Sequence, residues 1–414
     1  MLNKPLQTDR KGPIQPPWLN RSVLGMGATS LLADASHEMA TAVLPGFFAV
    51  LGISPAALGA VEGIADSVSS FTKLFSGWLS DRLGRRKALA AGGYFLTGTS
   101  KALFAVAHGW PLVLVGRTLA WFGRGVRGPL RDALLAGAVP AEARGRAFGF
   151  HRAGDTVGAI IGPLLGVWLL AYLRPRMADP SGPFRVVFLL TLIPGLGAGI
   201  SFLALVRETR RAPVRSRLRI AMARLPRAFR RLLLGVGIFG MGDFARTLMI
   251  LAATQLLAPG YGLQHAAQIA GLLYVGNNVV YAAYSYPVGA LSDQLGRRGL
   301  LSIGYFAGAL AAMGFAAAFL WNLNVIVYLL SLFGVSGFST AAVDALEGVL
   351  TADLVTEDNA RGTAYGVLGA VNGLGDLIAS VLVGALWTAV SPVLAFACAA
   401  LVMGLGGIVI FRVR

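Results

Sequence analysis

The chain has 414 residues, 56% of them hydrophobic, with a mean hydropathy of +0.67 and a formal net charge of +17. Two or three soluble domains need far more polar surface than that, so the composition excludes an ordinary globular protein and points to a bilayer. The positive charge is no nucleic-acid footprint, because its placement along the chain follows membrane orientation.

The opening stretch, MLNKPLQTDRKGPIQPPW, is polar and proline-rich, with no small-residue cleavage site before a short apolar core. No removable signal peptide is expected, and residues 1-21 read as a cytoplasmic N-terminal segment. Apolar runs of about 20 residues, enough to cross about 30 Å of hydrocarbon, then recur along the chain. Backbone groups in lipid need internal partners, so these runs are predicted to be helices. Twelve are expected, at 22-50, 57-80, 88-107, 111-138, 145-172, 185-206, 231-257, 266-291, 299-320, 324-352, 362-388 and 391-411. They divide into an N-terminal bundle over 22-206, a basic cytoplasmic linker over 207-230 and a C-terminal bundle over 231-414.

Ten Arg stand against one Glu between Arg207 and Arg231, and the loops near 81-87 and 142-152 are also basic. The loops near 51-57, 258-265, 321-324 and 389-391 carry no Lys, Arg, Asp or Glu. By the positive-inside rule the even-numbered loops and both termini are cytoplasmic, in a bacterial inner membrane. Only the fifth loop, with Arg174, Arg176, Asp179 and Arg185, offers charge on the outer side. The single cysteine, Cys398, lies in the last apolar run, which excludes an intrachain disulfide and a thiolate metal cluster.

Two segments are written twice. GWLSDRLGRRK at 77-87 returns as GALSDQLGRRG at 289-299, an offset of 212 residues, and ARGRAFGF from Ala143 returns as ARGTAYGV from Ala360, an offset of 217. Two matches at nearly one offset imply two homologous six-helix halves. Membrane transporters built this way hold their substrate between the halves near mid-membrane and alternate access by rocking.

On these residues the chain resembles the major facilitator superfamily over essentially its full length. Gly77, Asp81, Arg82, Gly84, Arg85, Arg86 and Lys87 match that family's signature between helices two and three, and the second half keeps Gly289, Asp293, Gly296, Arg297 and Arg298. The resemblance implies an all-α membrane fold of twelve helices in two pseudo-symmetric bundles, with these loops as a cytoplasmic gate. Asp81 ends a helix, where a carboxylate can meet the exposed N–H groups of a neighbouring helix start. The resemblance places that partner near Arg361, and the basic residues beside helix four, where Arg131 and Asp132 stand. The plainer alternative is that Arg85, Arg86 and Lys87 only set topology.

An ionisable residue inside a span costs about 2.5–3.5 kcal/mol on insertion scales and therefore marks a wet or functional interior. In helix one, Asp34, Glu38, Thr41 and Pro45 share a face with His37 beside it; in helix two, Glu62, Asp66, Ser69 or Ser70 and Lys73 do the same. Helix four carries Arg117, Arg124, Arg127 and Arg131. Either these form an internal salt network with Asp34, Glu38, Glu62, Asp66 and Asp155, or Arg117 or Arg124 meets substrate. An Arg on helix four also resembles a proton-coupling element of the family's exporters, without the usual glycine spacing after Arg117. In helix five, Gly149, Gly158, Gly162, Pro163 and Gly166 resemble the pattern of the family's antiporters, with Val167 in place of the final glycine; ordinary close packing is the alternative.

The second half is poorer in charge. Asp243 and Arg246 lie one turn apart and are expected to neutralise each other. Helix eight shows Tyr274, Asn277 or Asn278, Tyr281, and Tyr284 or Ser285 as a polar-aromatic stripe suited to a small organic solute, or to packing. Asp344, Glu347, Asn372 and Asp376 follow in helices ten and eleven.

The leading expectation is a proton-coupled secondary transporter, a monomer in membrane lipid, exporting a small drug-like molecule or metabolite. Its proton sites are drawn from Asp34, Glu38, Glu62, Asp66 and Asp155. Its cavity is drawn from His37, Arg117, Arg124, Arg127, Asp243, Arg246, Tyr274, Asn277, Asn278 and Tyr281. The alternatives are an organic-anion transporter, favoured by the arginines of helix four, a divalent-metal transporter using Asp34, His37 and Glu38, or a non-transporting receptor or scaffold. No phosphate-binding loop, nucleophile elbow or paired metal motif is present, so no enzyme, cofactor, resident metal, ATP drive or nucleic-acid partner is expected.

Overall fold

The computed structural model describes residues 18–83, 86–208, 226–355 and 358–412, without the side chains of 74, 77–83, 141, 293 and 358–363. Among these residues the chain is helical, with no strand, and runs as twelve spans. They are α1 (Arg21–Val50), α2 (Pro55–Leu83), α3 (Arg86–Thr99, continued by Ala102–Ala105), α4 (Trp110–Gly137), α5 (Arg144–Leu173) and α6 (Gly182–Leu190, continued by Leu192–Leu205). The second half has α7 (Arg227–Gly240, continued by Arg246–Tyr261), α8 (Leu263–Leu295), α9 (Arg297–Leu320), α10 (Ile326–Leu354), α11 (Asp358–Ala389) and α12 (Pro392–Arg412).

Local chemistry sets the ends. Asn20 caps α1, its side-chain oxygen accepting from the backbone N–H of Ser22 and Val23 at 3.0 and 3.1 Å. Instead of the neutral loop expected over 258-265, α7 and α8 are joined by Gly262 alone, at φ +74°. That left-handed conformation costs glycine little and turns the chain in one residue. Three spans expected to be continuous are broken, α3 at Ser100 and Lys101, α6 at Thr191 and α7 at 241–245. At Thr191 the hydroxyl donates to its own helix, on the carbonyl of Phe188 at 2.6 Å, while its carbonyl accepts from Ser36 of α1 at 2.8 Å.

Alternate spans run in opposite directions, so the starts of α1, α3, α5, α7, α9 and α11 share one face with the arginine-rich segments. On this basic face Asn20 donates to the Ala138 carbonyl at 2.8 Å and the Arg207 N–H to Ser22 at 3.1 Å. On the opposite, far face Arg185 donates to the Ala105 carbonyl at 2.7 Å. Six helical stretches, in α5, α6 and α9 to α12, are long and apolar enough by composition to cross a membrane. Among the others, α1, α2 and α4 carry buried charge and α3 and α7 are interrupted. Outward rows such as Leu189, Ile193, Ile200 and Leu203 of α6, and Ile303, Phe306, Leu310 and Met313 of α9, are exposed. At helical spacing they form the apolar surface that acyl chains require of an integral membrane protein.

Within the first half α1 packs on α5 and α6, and α4 on α2 and α3; in the second half α8 packs on α10, and α9 on α10 and α12. The halves meet chiefly through the symmetry-related pairs α2 with α11 and α5 with α8, and through α1 against α7 and α8. Glycine allows the closest of these approaches. A Cβ on Gly59 would stand 2.1 Å from the Ser380 carbonyl oxygen of α11. Along α5, Cβ atoms on Gly158 and Gly162 would stand 2.4 and 2.5 Å from the carbonyls of Leu31 and Ala35 in α1.

Five hydrogen bonds cross between the halves among the described residues, and all lie in the far half or at the middle. Ala56 N–H bonds Thr388 at 2.9 Å, Gln264 the Pro180 carbonyl at 3.3 Å, Tyr274 Glu38 at 2.7 Å, Ser67 the Gly373 carbonyl at 2.8 Å, and Asn278 the Ala159 carbonyl at 2.8 Å. The apolar core behaves the same way. One cluster runs from Leu44, Phe47 and Phe48 of α1 into Leu256, Ala267 and Ala270 of the second half, whereas the basic-face cluster around Tyr94, Leu134 and Phe202 belongs to the first half alone. Among the described residues the bonds and apolar contacts between the halves thus lie at the far face and at the middle.

Candidate functional site

The charged faces of α1, α2 and α4 converge inside the first half. Arg117 of α4 and Glu62 of α2, each 2% exposed, pair through Nε and Nη2 to one carboxylate oxygen at 3.0 and 2.9 Å. The same guanidinium donates to the Thr41 hydroxyl of α1 at 3.2 and 3.3 Å, tying three helices together. Trp121 lies between two arginines, its ring centre 5.5 Å from the Arg117 guanidinium carbon and 4.9 Å from that of Arg124. His37 packs edge-on against the same ring at 4.9 Å and is buried. Arg124 reaches Asp34 at 4.0 Å, too long for a hydrogen bond, and its side chain is 31% exposed.

The remaining groups divide differently from the shared network expected. Arg131 pairs with its neighbour Asp132 at 2.9 Å. Arg127 has no carboxylate within 4 Å among the described residues and lies 4.2 Å over the Tyr94 ring. Asp155 accepts from Ser30 and stands 3.4 Å from His151 Nε2, a histidine 1% exposed. Lys101, in the break of α3, is also 1% exposed and donates to Ser36 at 2.6 Å, which itself donates to the Thr191 carbonyl. Short steps along one helix, and partners one helix away, take Arg131 and Asp155 locally, while Arg127 is left without a carboxylate within 4 Å among the described residues.

The second half faces this set with acids. Asp243 and Arg246 form no ion pair within 4 Å; Arg246 instead donates to Thr340 at 3.0 Å, because the break in α7 separates the two residues from one helical face. They line a hollow with Ser336, Ser339, Thr340 and Asp344. Tyr281 donates to Asp344 at 3.1 Å, and Asn277 to Asn278 at 3.3 Å. Deeper in, Glu347 is satisfied twice, by Tyr305 at 2.6 Å and Asn372 at 2.7 Å. Asp66 of α2 and Asp376 of α11 are electrostatic neighbours across the seam between halves. Glu38 alone among the acids of α1 reaches the other half, through Tyr274.

Much of the expected gate, Gly77, Asp81, Arg82, Gly84, Arg85, Asp293 and the partner position Arg361, lies outside the described residues or their side chains. Beside it, the start of α3 is capped by Glu208, whose two oxygens accept from the backbone N–H of Arg86 and Lys87 at 3.2 and 2.9 Å. In the second half Gly296 adopts φ +90° ahead of α9, and Arg297 bonds Asp353 of α10. Arg298 follows it in the first turn of α9. Of the helix-five glycines, Gly158, Gly162 and Gly166 press on α1, Pro163 is buried among them, and Gly149 faces open space.

No group of three His, Cys, Asp or Glu side chains is placed to hold a metal among the described residues. What the arrangement offers is Arg124 beside Trp121 in the first half, and Arg246, Tyr281 and Asp344 around a hollow in the second. Sequence reasoning missed Lys101, His151, Trp121 and Tyr305. The signal for the first two was present, since both are ionisable residues within predicted spans.

The sequence profile described as the Major Facilitator Superfamily matches residues 26–266 and 232–414. An uncharacterized MFS-type transporter of Methanocaldococcus jannaschii is 31% identical over 380 residues, 91% of this chain and 91% of its own. The multidrug resistance protein MdtH of Cronobacter sakazakii is 33% identical over 122 residues, 30% of each chain. Among solved structures, a mutant of the nucleoside transporter NupG superposes with a TM-score of 0.77 at 14% identity, over 94% of this chain and 100% of that one.

Proposed function

Because the chain belongs to the Major Facilitator Superfamily and is therefore a membrane transporter of small molecules rather than an enzyme, we propose that it works by alternating access and exports a small organic compound in exchange for protons. The basic face is cytoplasmic by the positive-inside rule, with both termini on that side. The membrane is the bacterial inner membrane. Export is supported by the likeness of part of the chain to a multidrug resistance protein and by the glycine ridge of α5.

One observation carries the coupling. Asp34 is buried in the middle of α1 and faces its nearest cation, Arg124, at 4.0 Å, while Asp155 one helix away is held by Ser30 and His151. A carboxylate held that loosely can exchange its cation for a proton, and the two forms favour different arrangements of the halves. The arginines of α4 argue less for an organic anion than the sequence implies, since Arg117 and Arg131 are neutralised by Glu62 and Asp132.

The test is a pH-gradient assay in energised everted vesicles containing the protein, in which a transported compound releases the gradient reported by a quenched dye. Asp34→Asn should insert normally and abolish the release. Full activity in that variant would remove Asp34 from the coupling step.

A further inference from the structure

We propose that the transported compound carries both signs of charge, an anionic group such as a carboxylate held by Arg124 on the first-half wall and a protonated amine held by Asp344 on the second-half wall. The proposal deepens the transporter reading above and rests on it.

The two walls are built from related helices with opposite charge. At the repeat offset α4 corresponds to α10, and α4 carries Arg124, Arg127 and Arg131 where α10 carries Asp344 and Glu347. Most of these are already paired or shut away from a solute. Arg131 has Asp132, Arg127 is buried over Tyr94, and Glu347 holds both Tyr305 and Asn372. Two are left with capacity. Arg124 is partly exposed, with no hydrogen bond among the described residues, the 4.0 Å contact to Asp34 and the Trp121 ring beside it. Asp344 is exposed and accepts one phenol at 3.1 Å, which leaves most of its lone pairs open.

Neighbouring groups extend the polarity. Lys73, exposed on α2, is an electrostatic neighbour of both Arg124 and Asp344. The hollow beside Asp344 holds Asp243 as well, two acids to the single base Arg246. Trp121 and Tyr281 flank the two charges with aromatic surface.

Closure makes the charge pattern selective. When the walls come together water leaves, and a charge left without a partner opposes the closed state. A solute with one charge answers one wall and leaves the other exposed to that penalty. A solute with both answers the two walls together and binds the closed state better than the open one, which is the differential affinity a carrier needs to move.

The probes are α-, β- and γ-amino acids and small dipeptides, each beside its methyl ester and its N-acetyl form. Binding is read as thermal stabilisation of purified protein, and transport as gradient release in the vesicle assay. At least one zwitterion should bind at least about tenfold more tightly than both of its capped forms. Arg124→Gln should then lose discrimination against the ester, and Asp344→Asn discrimination against the N-acetyl form, a crossed pattern that misfolding does not produce. Equal binding of parent and capped compounds overturns the proposal. Gradient release by compounds of one charge or none, without any zwitterion, overturns it while leaving the carrier reading in place. No response to any probe in either assay overturns this proposal, and silence towards neutral and singly charged drug-like compounds as well overturns both.

Discussion

Replacing Arg117 by Leu removes the cation from the buried knot of α1, α2 and α4. Glu62, 2% exposed, then keeps a charge with no counterion, and its second oxygen already has no hydrogen-bond partner. Two charge-assisted bonds at 2.9–3.0 Å are worth about 1.5–3 kcal/mol each, and breaking one side of a buried ion pair typically costs about 3–5 kcal/mol. Arg117→Leu should therefore lose about 4 kcal/mol of folding free energy. Glu62→Leu should lose a similar amount, since it strands the guanidinium. The double variant removes both charges, and should lie within about 2 kcal/mol of the parent, giving a coupling energy of several kcal/mol. The weaker contact of Arg117 with Trp121 is lost in both Arg117 variants and does not affect that comparison. Unfolding in mixed micelles with increasing dodecyl sulfate measures all four proteins. Simple additivity, with the double variant losing the sum of the singles, would show that the pair is not a unit and refute the reasoning.

Gly59→Val forces a side chain into the Ser380 carbonyl and should part α2 from α11 at the far face. Cross-linking of cysteines placed at Ala56 and Thr388, now joined by a 2.9 Å hydrogen bond, should fall by about tenfold, and unchanged cross-linking would contradict the seam described. Tyr274→Phe removes the bond to Glu38, a link of about 1.5–3 kcal/mol, and should raise the population open at the far face by about tenfold or more. Maleimide labelling of a cysteine at the buried position Ala267, with Cys398 replaced by Ala, reports it; an unchanged labelling rate would mean that the bond is incidental. Lys101→Met should be neutral or stabilising, because the ammonium has Ser36 as a partner but no carboxylate within 4 Å among the described residues. A loss above about 2 kcal/mol would show that its charge is answered elsewhere.

The fold was legible because hydropathy and repetition are properties of the chain itself. Runs long enough to cross hydrocarbon must be helical, and two segments repeating at nearly one offset require two like halves. The breaks were not legible. Ser100 and Lys101 sit in an apolar run with no proline, and α3 is interrupted at the lysine that donates to Ser36, a partner that exists only once α1 is alongside. Likewise Gly262 closes a loop in one residue where eight neutral positions looked available.

At the candidate site the sequence by itself determined which ionisable groups are buried in the membrane and on which helical faces they fall, since a periodicity of 3.6 residues is enough to align Asp34 with Glu38 or Arg124 with Arg131. Only the tertiary structure decided who answers whom. Arg117 goes to Glu62, Arg131 to Asp132, Glu38 across to Tyr274, and Arg124 and Asp344 are left with bonding capacity to spare. The reason is range: a charge in a low-dielectric interior is settled by the partner within about 3–4 Å, and those partners come from helices distant in sequence whose approach is set by glycine contacts and by the closure of the two halves.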